Sequence, residues 1–551
     1  MPSRRTPVSC PSDRPHARRT RTPRLSGGAL LLGLLLASAP PDCLAETIHV
    51  PADYPLIQDA LNAASDGDLV QVAAGRFEQA GINLPGRAIT IRGTTDPIDG
   101  SLLTTIVNTS DPWNKGAATS VFVAGSGDGP QTVVRDLVIS RESTGSSFGG
   151  MSGIRIIDGG LTIVDCLVLG HDTGIHASGA GERIVTDCVI SGNGSSDSFG
   201  SSAGISISGG TLTLTNCQVI ANGQGVSASG GAQVTLSNCI IGDNGSSNSF
   251  GGGAGIRVIG GILEVSDCEI ARNFGPGLDL GTSVQATIAG CVVSENGLAA
   301  SSFSPPAGLT SHNSTLQVTD SEFHSNRGSG LELRDSQSSI EGSSMWRNGL
   351  ACGAGVTVDG GTLALDQCQV FSNVAGPACF ALIGVCDVTG VQSEGNTTIT
   401  NSWVCSNQGS WGCPNGQPAP QVSGSWTDGG GNTISGSCVV GCCTNDLCLD
   451  ESNPSFLGNT LQPLSCLEVG GEPLWYGTCE ECLRGGACCV GSGCSEGVDV
   501  AECDRLGGTW TEGGSCNDCP TTCPADTNRD GSVDGQDLAA VLANWGLPCE
   551  G

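Results

Sequence analysis

A short frame that recurs every twenty to thirty residues constrains this 551-residue chain more than any other feature. The frame is Asp or Asn, then Cys, one variable residue and an aliphatic residue, and its steps alternate: 22 residues from Cys166 to Cys188, then 29 to Cys217. Asn follows the Cys position by five residues in nearly every copy, as Asn222 follows Cys217. A repeat of this period is typical of a solenoid whose units stack on one another.

The residues between these marks read as short strands and turns. Thr211–Cys217 and Gln233–Cys239 alternate apolar and polar residues, and Gly-Gly or Asn-Gly pairs separate such runs. Three strands and three turns per unit predict an all-β coil whose parallel strands stack about 4.8 Å apart. We expect the thiols to point inward as small apolar groups, with Ser321 and Ser343 replacing two of them. We expect the Asn row to form a turn ladder, because Asn tolerates the left-handed conformation and can hydrogen-bond its neighbours above and below.

The chain resembles the right-handed parallel β-helix superfamily typified by the pectate lyases over about residues 46–435. The resemblance is most specific at the start, in residues 47–55 (TIHVPADYP), 57–61 (IQDAL) and 67–93. It implies an N-terminal helical cap followed by the first coil. We assign residues 46–437 to the β-helix.

Residues 1–45 read as a signal peptide, with seven Arg before the apolar run 29–37. That run is too short to span a bilayer, so we expect a secreted protein, extracellular or at the cell surface. The formal net charge of −31 disfavours nucleic acid and anionic lipid as partners. It also disfavours an anionic polysaccharide such as pectate unless calcium bridges the two.

Every other coil carries an insertion of about seven residues that contains a phenylalanine. Alternate coils lie about 9.6 Å apart, close to the length of a disaccharide, so these rings could line a polysaccharide-binding flank. The competing and favoured interpretation is that each ring folds back to anchor its own loop. The four residues are Phe148, Phe199, Phe250 and Phe303.

Catalytic constellations are scarce, and we assign no catalytic residue. Lys115 is the only lysine, and Arg155 and Arg257 occupy matched repeat positions four coils, or roughly 19 Å, apart. They cannot serve one site. The aspartates before the Cys row are expected to face solvent, and His171 and His176 are interpreted as a surface pair rather than metal ligands.

Residues 438–522 form two tandem modules, each with six cysteines. Either a disulfide scaffold or, through the closing CxxC pairs, a zinc ribbon would fit this spacing, and export favours disulfides. The two sets are Cys442, Cys443, Cys448, Cys466, Cys479 and Cys482, and Cys488, Cys489, Cys494, Cys503, Cys516 and Cys519.

Residues 523–551 contain an EF-hand-like loop and helix predicted to bind calcium. Oxygen ligands at loop positions 1, 3, 5, 9 and 12, a carbonyl at 7 and Gly531 at 6 match the needs of this cation. The segment resembles one repeat of a type I dockerin, which implies a cohesin-like or cell-surface anchoring partner, although dockerins normally have two repeats. Cys523 and Cys549 bracket it, and a disulfide between them is predicted to replace the missing half. The ligands are Asp526, Asn528, Asp530, Ser532, Asp534 and Asp537.

Two classes of function follow from these features. The first is a noncatalytic extracellular protein whose β-helix binds polysaccharide or displays a surface, attached through the calcium-dependent tail. The second is a polysaccharide lyase or glycoside hydrolase of the β-helix superfamily. The regular rod without an acid/base constellation favours the first.

Overall fold

Residues 45–435 fold as a parallel β-helix in which a typical coil contributes one strand to each of three sheets. The computed structural model describes residues 45–109, 120–142, 151–194, 203–245, 253–298, 306–349, 353–374, 390–408 and 420–435, together with the backbone of six further strands between 441 and 511. The predicted all-β solenoid is confirmed over these coils.

Sheets 1 and 2 are continuous with each other, and sheet 3 closes the coil. Sheet 1 contains β4 (Ile82–Asn83), β7 (Phe122–Ala124), β10 (Ser152–Ile157), β13 (Thr173–Ser178), β16 (Ile205–Ser208), β19 (Val226–Ser229), β22 (Ile256–Val258), β25 (Leu278–Leu280) and β28 (Leu309–His312). Sheet 2 contains β1 (Thr47–Val50), β2 (Leu69–Val72), β5 (Thr90–Arg92), β8 (Val133–Arg135), β11 (Leu161–Val164), β14 (Glu182–Thr186), β17 (Thr211–Thr215), β20 (Gln233–Ser237), β23 (Gly261–Ser266), β26 (Val284–Ala289) and β29 (Thr315–Thr319). Four long strands span both sheets: β31 (Leu331–Glu341), β33 (Val356–Asp366), β35 (Val391–Thr400) and β37 (Val422–Gly430). Sheet 3 contains β3 (Gly75–Glu78), β6 (Thr104–Asn108), β9 (Val138–Arg141), β12 (Leu167–Leu169), β15 (Val189–Ser191), β18 (Gln218–Ile220), β21 (Ile240–Gly242), β24 (Glu269–Ala271), β27 (Val292–Ser294), β30 (Glu322–His324), β32 (Ser344–Trp346), β34 (Gln369–Phe371), β36 (Trp403–Cys405) and β38 (Thr433–Ser435).

The core is a set of aliphatic columns that run along the helix axis. On sheet 2, Leu212 pairs with Val234 and Val234 with Leu263, and all three side chains are buried. The alternation of each strand sends every second residue inward, so the same column recurs on the other two sheets. Burial of each Leu or Ile contributes about 1.5–3 kcal/mol relative to exposure.

The N-terminal end carries the predicted helix. Helix α1 spans Ile57–Ala63 and buries Ile57, Ala60 and Leu61 against the first coils. No helix among the described residues is long and apolar enough to cross a membrane.

Three corners join the strands of a coil: corner 1 from sheet 1 to sheet 2, corner 2 from sheet 2 to sheet 3, and corner 3 from sheet 3 to the next sheet-1 strand. Corner 3 is short between β12 and β13, which end and begin at Leu169 and Thr173, but long between β15 and β16, which end and begin at Ser191 and Ile205. This alternation places every phenylalanine-bearing insertion at corner 3.

Residues 435–551 form a second compact unit. It contains two antiparallel sheets of three strands with the same pairing pattern: β39 (Gly441–Thr444) pairs with β40 (Leu447–Leu449) and β41 (Glu472–Leu474), and β42 (Gly486–Val490) pairs with β43 (Gly493–Val498) and β44 (Thr509–Thr511). One such sheet lies in each predicted module. Disulfide or zinc ligation remains a prediction.

Candidate functional site: the outer face of sheet 1

The outer face of sheet 1 presents one mostly polar side chain per coil, and these side chains lie in register along the axis. Each follows an inward aliphatic residue and a glycine that recurs in the pattern, as Arg155 follows Ile154 and Gly153. We call this row the sheet-1 face. From β10 onward it consists of Arg155, His176, Ser206, Ser227, Arg257, Asp279, Thr310, Glu332, Thr357 and Gln392.

The glycine two residues before each of these side chains is required by close packing. A Cβ atom on Gly225 would lie 2.2 Å from the carbonyl oxygen of Gly255 and 3.0 Å from Nδ2 of Asn244. The glycine therefore lets the sheet-1 strand approach both the next coil and the buried Asn row. The position two residues after it is then fixed on the outer face, which is a sequence signal that the spacing of the Cys and Asn rows does not contain.

Two ion pairs involve charged residues of the sheet-1 face. Arg257 Nε lies 3.4 Å from Asp279 Oδ2, and the Thr310 hydroxyl donates to Asp279 Oδ1 at 3.3 Å. Glu332 pairs with Arg334 on the same strand. Asp279 and Glu332 are two coils apart, which corresponds to about 9.6 Å between backbones.

Arg155 and His176 are neighbours at the other end of the face. Their backbones pair directly, and partial burial together with the charge of Arg155 lowers the pKa of His176. The predicted separation of Arg155 from Arg257 by four coils is correct, since β13, β16 and β19 lie between their strands. Neither arginine can therefore act at the site of the other.

The Cys row points into the core, as expected. The free thiols at corner 2 are almost fully buried, and burial raises the pKa of Cys368 to about 12. Ser321 and Ser343 take the same inward position. A thiol that neither solvent nor substrate can reach cannot act as a nucleophile, so we interpret this buried row as structural.

The Asn row forms the predicted ladder, with the expected hydrogen bonds between neighbouring coils. The left-handed backbone that was also expected at these residues is absent from them. The side chains are buried and hydrogen-bonded from coil to coil: Asn222 Nδ2 donates to Asn244 Oδ1 at 3.2 Å. The left-handed backbone falls on the preceding residue, as at Ala221 with φ 56°, and on the residue before each Cys, as at Asp187 with φ 53°. The amides are therefore placed by hydrogen bonding inside the coil.

The interpretation of His171 and His176 as a surface pair was also wrong. His171 is 2% exposed and occupies the Asn position at the start of the ladder, where its backbone N–H donates to Asn193 Oδ1. Burial lowers its pKa to about 4, so the ring is neutral at neutral pH. His176 lies on the sheet-1 face. The spacing of five residues after Cys166 was the signal for this position.

The aspartates before the Cys row face outward, as expected. Asp187 and Asp267 are exposed, and Asp165 is partly buried and pairs with Arg135 at 3.0 Å. Burial raises the pKa of Asp165.

An aromatic stack on the outer side of sheet 3 was not predicted. His324 stacks on Trp346 with ring centroids 4.3 Å apart, and Trp346 on Phe371 at 6.2 Å, while the Arg347 guanidinium lies 5.7 Å from the Trp346 ring. Burial and the charge of Arg347 lower the pKa of His324 to about 4. Because the rings cover one another and Phe371 is buried, we interpret the stack as a stabilising ladder.

The remaining predicted site residues lie outside the described part of the chain. These are the calcium-loop ligands Asp526, Asn528, Asp530, Ser532, Asp534 and Asp537, the bracketing pair Cys523 and Cys549, and the insertion residues Phe148, Phe199, Phe250 and Phe303. Within the described coils no group of three or more His, Cys, Asp or Glu residues is arranged to hold a metal ion.

Three overlapping stretches, residues 113–261, 196–341 and 263–463, match the model of the family described as "Right handed beta helix region". No curated protein sequence matches the chain.

Several solved structures are similar to this chain. The catalytic unit of a GH87 α-1,3-glucanase from Streptomyces thermodiastaticus is 14% identical over 73% of this chain and 71% of that one, with a TM-score of 0.39. The A-module of Azotobacter vinelandii mannuronan C-5 epimerase AlgE6 is 13% identical over 69% and 93%, with a TM-score of 0.34. Pectate lyase Pel9A is 13% identical over 71% and 78%, with a TM-score of 0.28.

Proposed function

Because the chain belongs to the right-handed β-helix family, we propose that it is an exported protein whose solenoid binds polysaccharide along the sheet-1 face without cleaving it. The observation that carries this proposal is the single-file row of side chains on that face. Parallel strands repeat about every 4.8 Å, so a linear polymer lying along the axis meets an equivalent contact at each coil. Regular spacing of weak contacts suits binding of a repetitive ligand by avidity.

The position of the insertions supports the same face. The segments with Phe148, Phe199, Phe250 and Phe303 each connect a sheet-3 strand to the following sheet-1 strand. They therefore join the solenoid along one edge of the sheet-1 face, at every second coil. Affinity gels of Phe199→Ala and Phe250→Ala test whether the rings bind the polysaccharide or only anchor their own loops. Weaker binding of the polysaccharide is expected only if the rings contact it.

A panel of polysaccharides scored for binding and for product release, with and without calcium, tests the proposal. We expect retention of at least one polysaccharide in affinity electrophoresis and no new reducing ends or unsaturated products. Binding to no member of the panel would contradict the proposal, and product release would contradict its noncatalytic part.

Two matched tryptophan substitutions locate the binding face. Ser206 points outward on sheet 1 and Thr213 points outward on sheet 2 of the same coil, and both are half-buried. We expect Ser206→Trp to obstruct the polymer and abolish retention, and Thr213→Trp to leave it unchanged. Equal losses, or loss only in Thr213→Trp, would place binding elsewhere.

We also propose that residues 523–551 bind calcium and attach the protein to a cohesin-like or cell-surface partner. The support is the spacing of the oxygen side chains around Gly531. Calorimetry of the full chain should give one calcium per molecule, and the paired substitution Asp526→Ala and Asp530→Ala should remove it. Control substitutions Asp158→Ala and Asp335→Ala, both at corner 1, should leave calcium binding intact.

A second candidate function is glycoside hydrolysis, and the placement of Asp279 and Glu332 favours it. Inverting hydrolases hold two carboxyl groups about 6.5–9.5 Å apart, and these residues face the same side two coils apart with Thr310 between them. Against this role, each carboxylate already faces an arginine, so neither could contact a glycosidic oxygen without breaking its ion pair.

Reducing-end assays on Asp279→Asn and Glu332→Gln distinguish the two functions. A hydrolase should lose at least about a hundredfold of its rate in either variant. A binding protein has no rate to lose, and its affinity should change only modestly.

A further inference from the structure

We propose that the part of the sheet-1 face from Arg155 to Arg257 binds an extended polyanionic glycan, whose sulfate or carboxylate groups bind the two arginines. This inference rests on the proposed function and specifies the chemical class of its ligand. We call this part of the face the arginine-bounded strip.

The length of the strip is set by the strand register. Five sheet-1 strands follow one another, so Arg155, His176, Ser206, Ser227 and Arg257 form one continuous row. Four steps of about 4.8 Å place the arginine backbones about 19 Å apart. That span is roughly two disaccharides by the same spacing, so an extended glycan with repeated charges can reach both ends.

The strip differs in charge from the rest of the chain. A second outward row, two residues further along, consists of Ile157, Ser178, Ser208 and Ser229, and Ile259 directly follows β22 at the corresponding sequence position. Neither row contains an acidic residue, although the whole chain has 54 acidic and 23 basic residues. The net charge of −31 is therefore carried elsewhere, and the expectation that it excludes anionic polysaccharides does not apply to this surface.

The surface between the arginines offers small hydrogen-bonding groups. The hydroxyls of Ser206, Ser208, Ser227 and Ser229 have no hydrogen-bond partner in the described part of the chain. Short side chains leave room for a sugar ring close to the sheet, and hydroxyls both donate and accept. Ile157 and Ile259, which are 37% and 47% exposed, provide apolar contacts at the two ends.

The two arginines are not equivalent. Arg155 forms no ion pair with any residue that the structure describes, whereas Arg257 is paired with Asp279. An arginine already facing a carboxylate gains less from a second anion. Arg155 should therefore contribute more to affinity, and removal of the Asp279 charge should strengthen the Arg257 contact.

Three polymers with one backbone test the charge requirement on the full-length protein. Dextran is neutral, carboxymethyl-dextran carries carboxylates and dextran sulfate carries sulfates. We expect retention of one or both charged derivatives in affinity electrophoresis, with affinity that falls as salt rises, and weak or no retention of dextran. The comparison between the two charged forms identifies which anion is preferred.

Charge-removing variants then locate the contact. Arg155→Gln should weaken binding roughly tenfold, Arg257→Gln by less, and Asp279→Asn should strengthen it. Arg327→Gln is the matched control, because Arg327 is exposed at corner 3 away from the strip. Circular dichroism verifies that each variant is folded.

The outcomes separate this inference from the proposed function. Equal weakening in Arg327→Gln and Arg155→Gln would show general attraction to charge and overturn the inference. The inference would also be overturned if the protein retained neutral glucans and neither Arg155→Gln nor Arg257→Gln weakened that retention. The proposal that the protein binds polysaccharide would then still hold. Absence of binding to every charged and neutral polymer would overturn both.

Discussion

Corners 2 and 3 solve the same problem, closing a turn over the core, with different chemistry. At corner 2, the Cys217 backbone N–H donates to Cys239 Sγ at 3.5 Å, a weak contact. At corner 3, Asn222 Nδ2 donates to the carbonyl oxygen of Ile190 at 2.9 Å and to the next amide in the row. One corner is filled by packing and the other is held by a chain of amide hydrogen bonds.

The difference explains how much substitution each row contains. Serine replaces cysteine at 321, 343 and 402, where its hydroxyl makes the same contacts as the thiol. The Asn row continues without replacement from Asn193 to Asn407 and ends in His171 and Gln421. A small buried group is exchangeable, whereas an amide that both donates and accepts along the row is not.

The largest expected effect is the loss of one amide from the middle of corner 3. Asn244→Ala removes the bonds from Nδ2 to the Val219 carbonyl and to Asn273, and it leaves the Asn222 amide groups without their acceptor. We expect the unfolding free energy to fall by about 4 kcal/mol, measured by chemical denaturation with circular dichroism.

Asn238→Gly is the matched control. Asn238 is exposed at corner 2 with φ 51°, a backbone conformation that glycine adopts freely. A change below about 1 kcal/mol is expected there. If the two variants were equally stable, the contrast between the corners would be wrong.

The next effect concerns the histidine at the start of the amide row. Burial lowers the pKa of His171 from 6.5 to about 4, so the unfolded chain binds a proton more readily than the folded one between these values. The stability contributed by the neutral ring is complete above pH 6.5 and is lost as pH falls towards 4. When the pH is lowered from 7 to 4, the unfolding free energy of His171→Asn should therefore fall by about 3 kcal/mol less than that of the wild type.

Paired denaturation curves of both proteins at the two pH values measure this difference. His49→Asn, at an exposed site on β1, is the control and should follow the wild type. A His171→Asn protein with unchanged acid sensitivity would show that the buried imidazole is not what titrates.

The smallest effect is expected at corner 2. Cys239→Ser should change stability by less than about 1 kcal/mol, because a hydroxyl can donate to the Ser237 carbonyl as the thiol does at 3.2 Å. Asn244→Ser provides the comparison, since its shorter side chain cannot reproduce the amide contacts. A loss at Cys239 comparable to that at Asn244 would mean that thiol packing, too, is strictly specified.

The sequence was sufficient to predict the coil, because the period-2 runs, the inward Cys row and the Asn ladder each depend on local spacing. It misplaced the left-handed residues, since Ala221 and Asp187 reveal their backbone conformation only in relation to the coils above and below. The burial of His171 was also missed, because a histidine at this position does not match the asparagine pattern of the row.

The candidate site was predicted less well than the fold. The sequence showed Arg155 and Arg257 as matched positions but not that the row of side chains between them contains no acidic residue. Asp279 and Glu332 are 53 residues apart in the chain and become near neighbours only through stacking. Spatial proximity of this kind requires the register of every intervening coil.

The contacts between coils repeat along the β-helix, and this repetition affects how the protein can evolve. The bond from Asn222 to the Ile190 carbonyl recurs, 51 residues later, from Asn273 to Ile241. Gain or loss of one double turn by a genetic duplication or deletion creates no junction that the molecule does not already contain. Selection can therefore change the length of the β-helix in steps of two coils without requiring a new contact between coils.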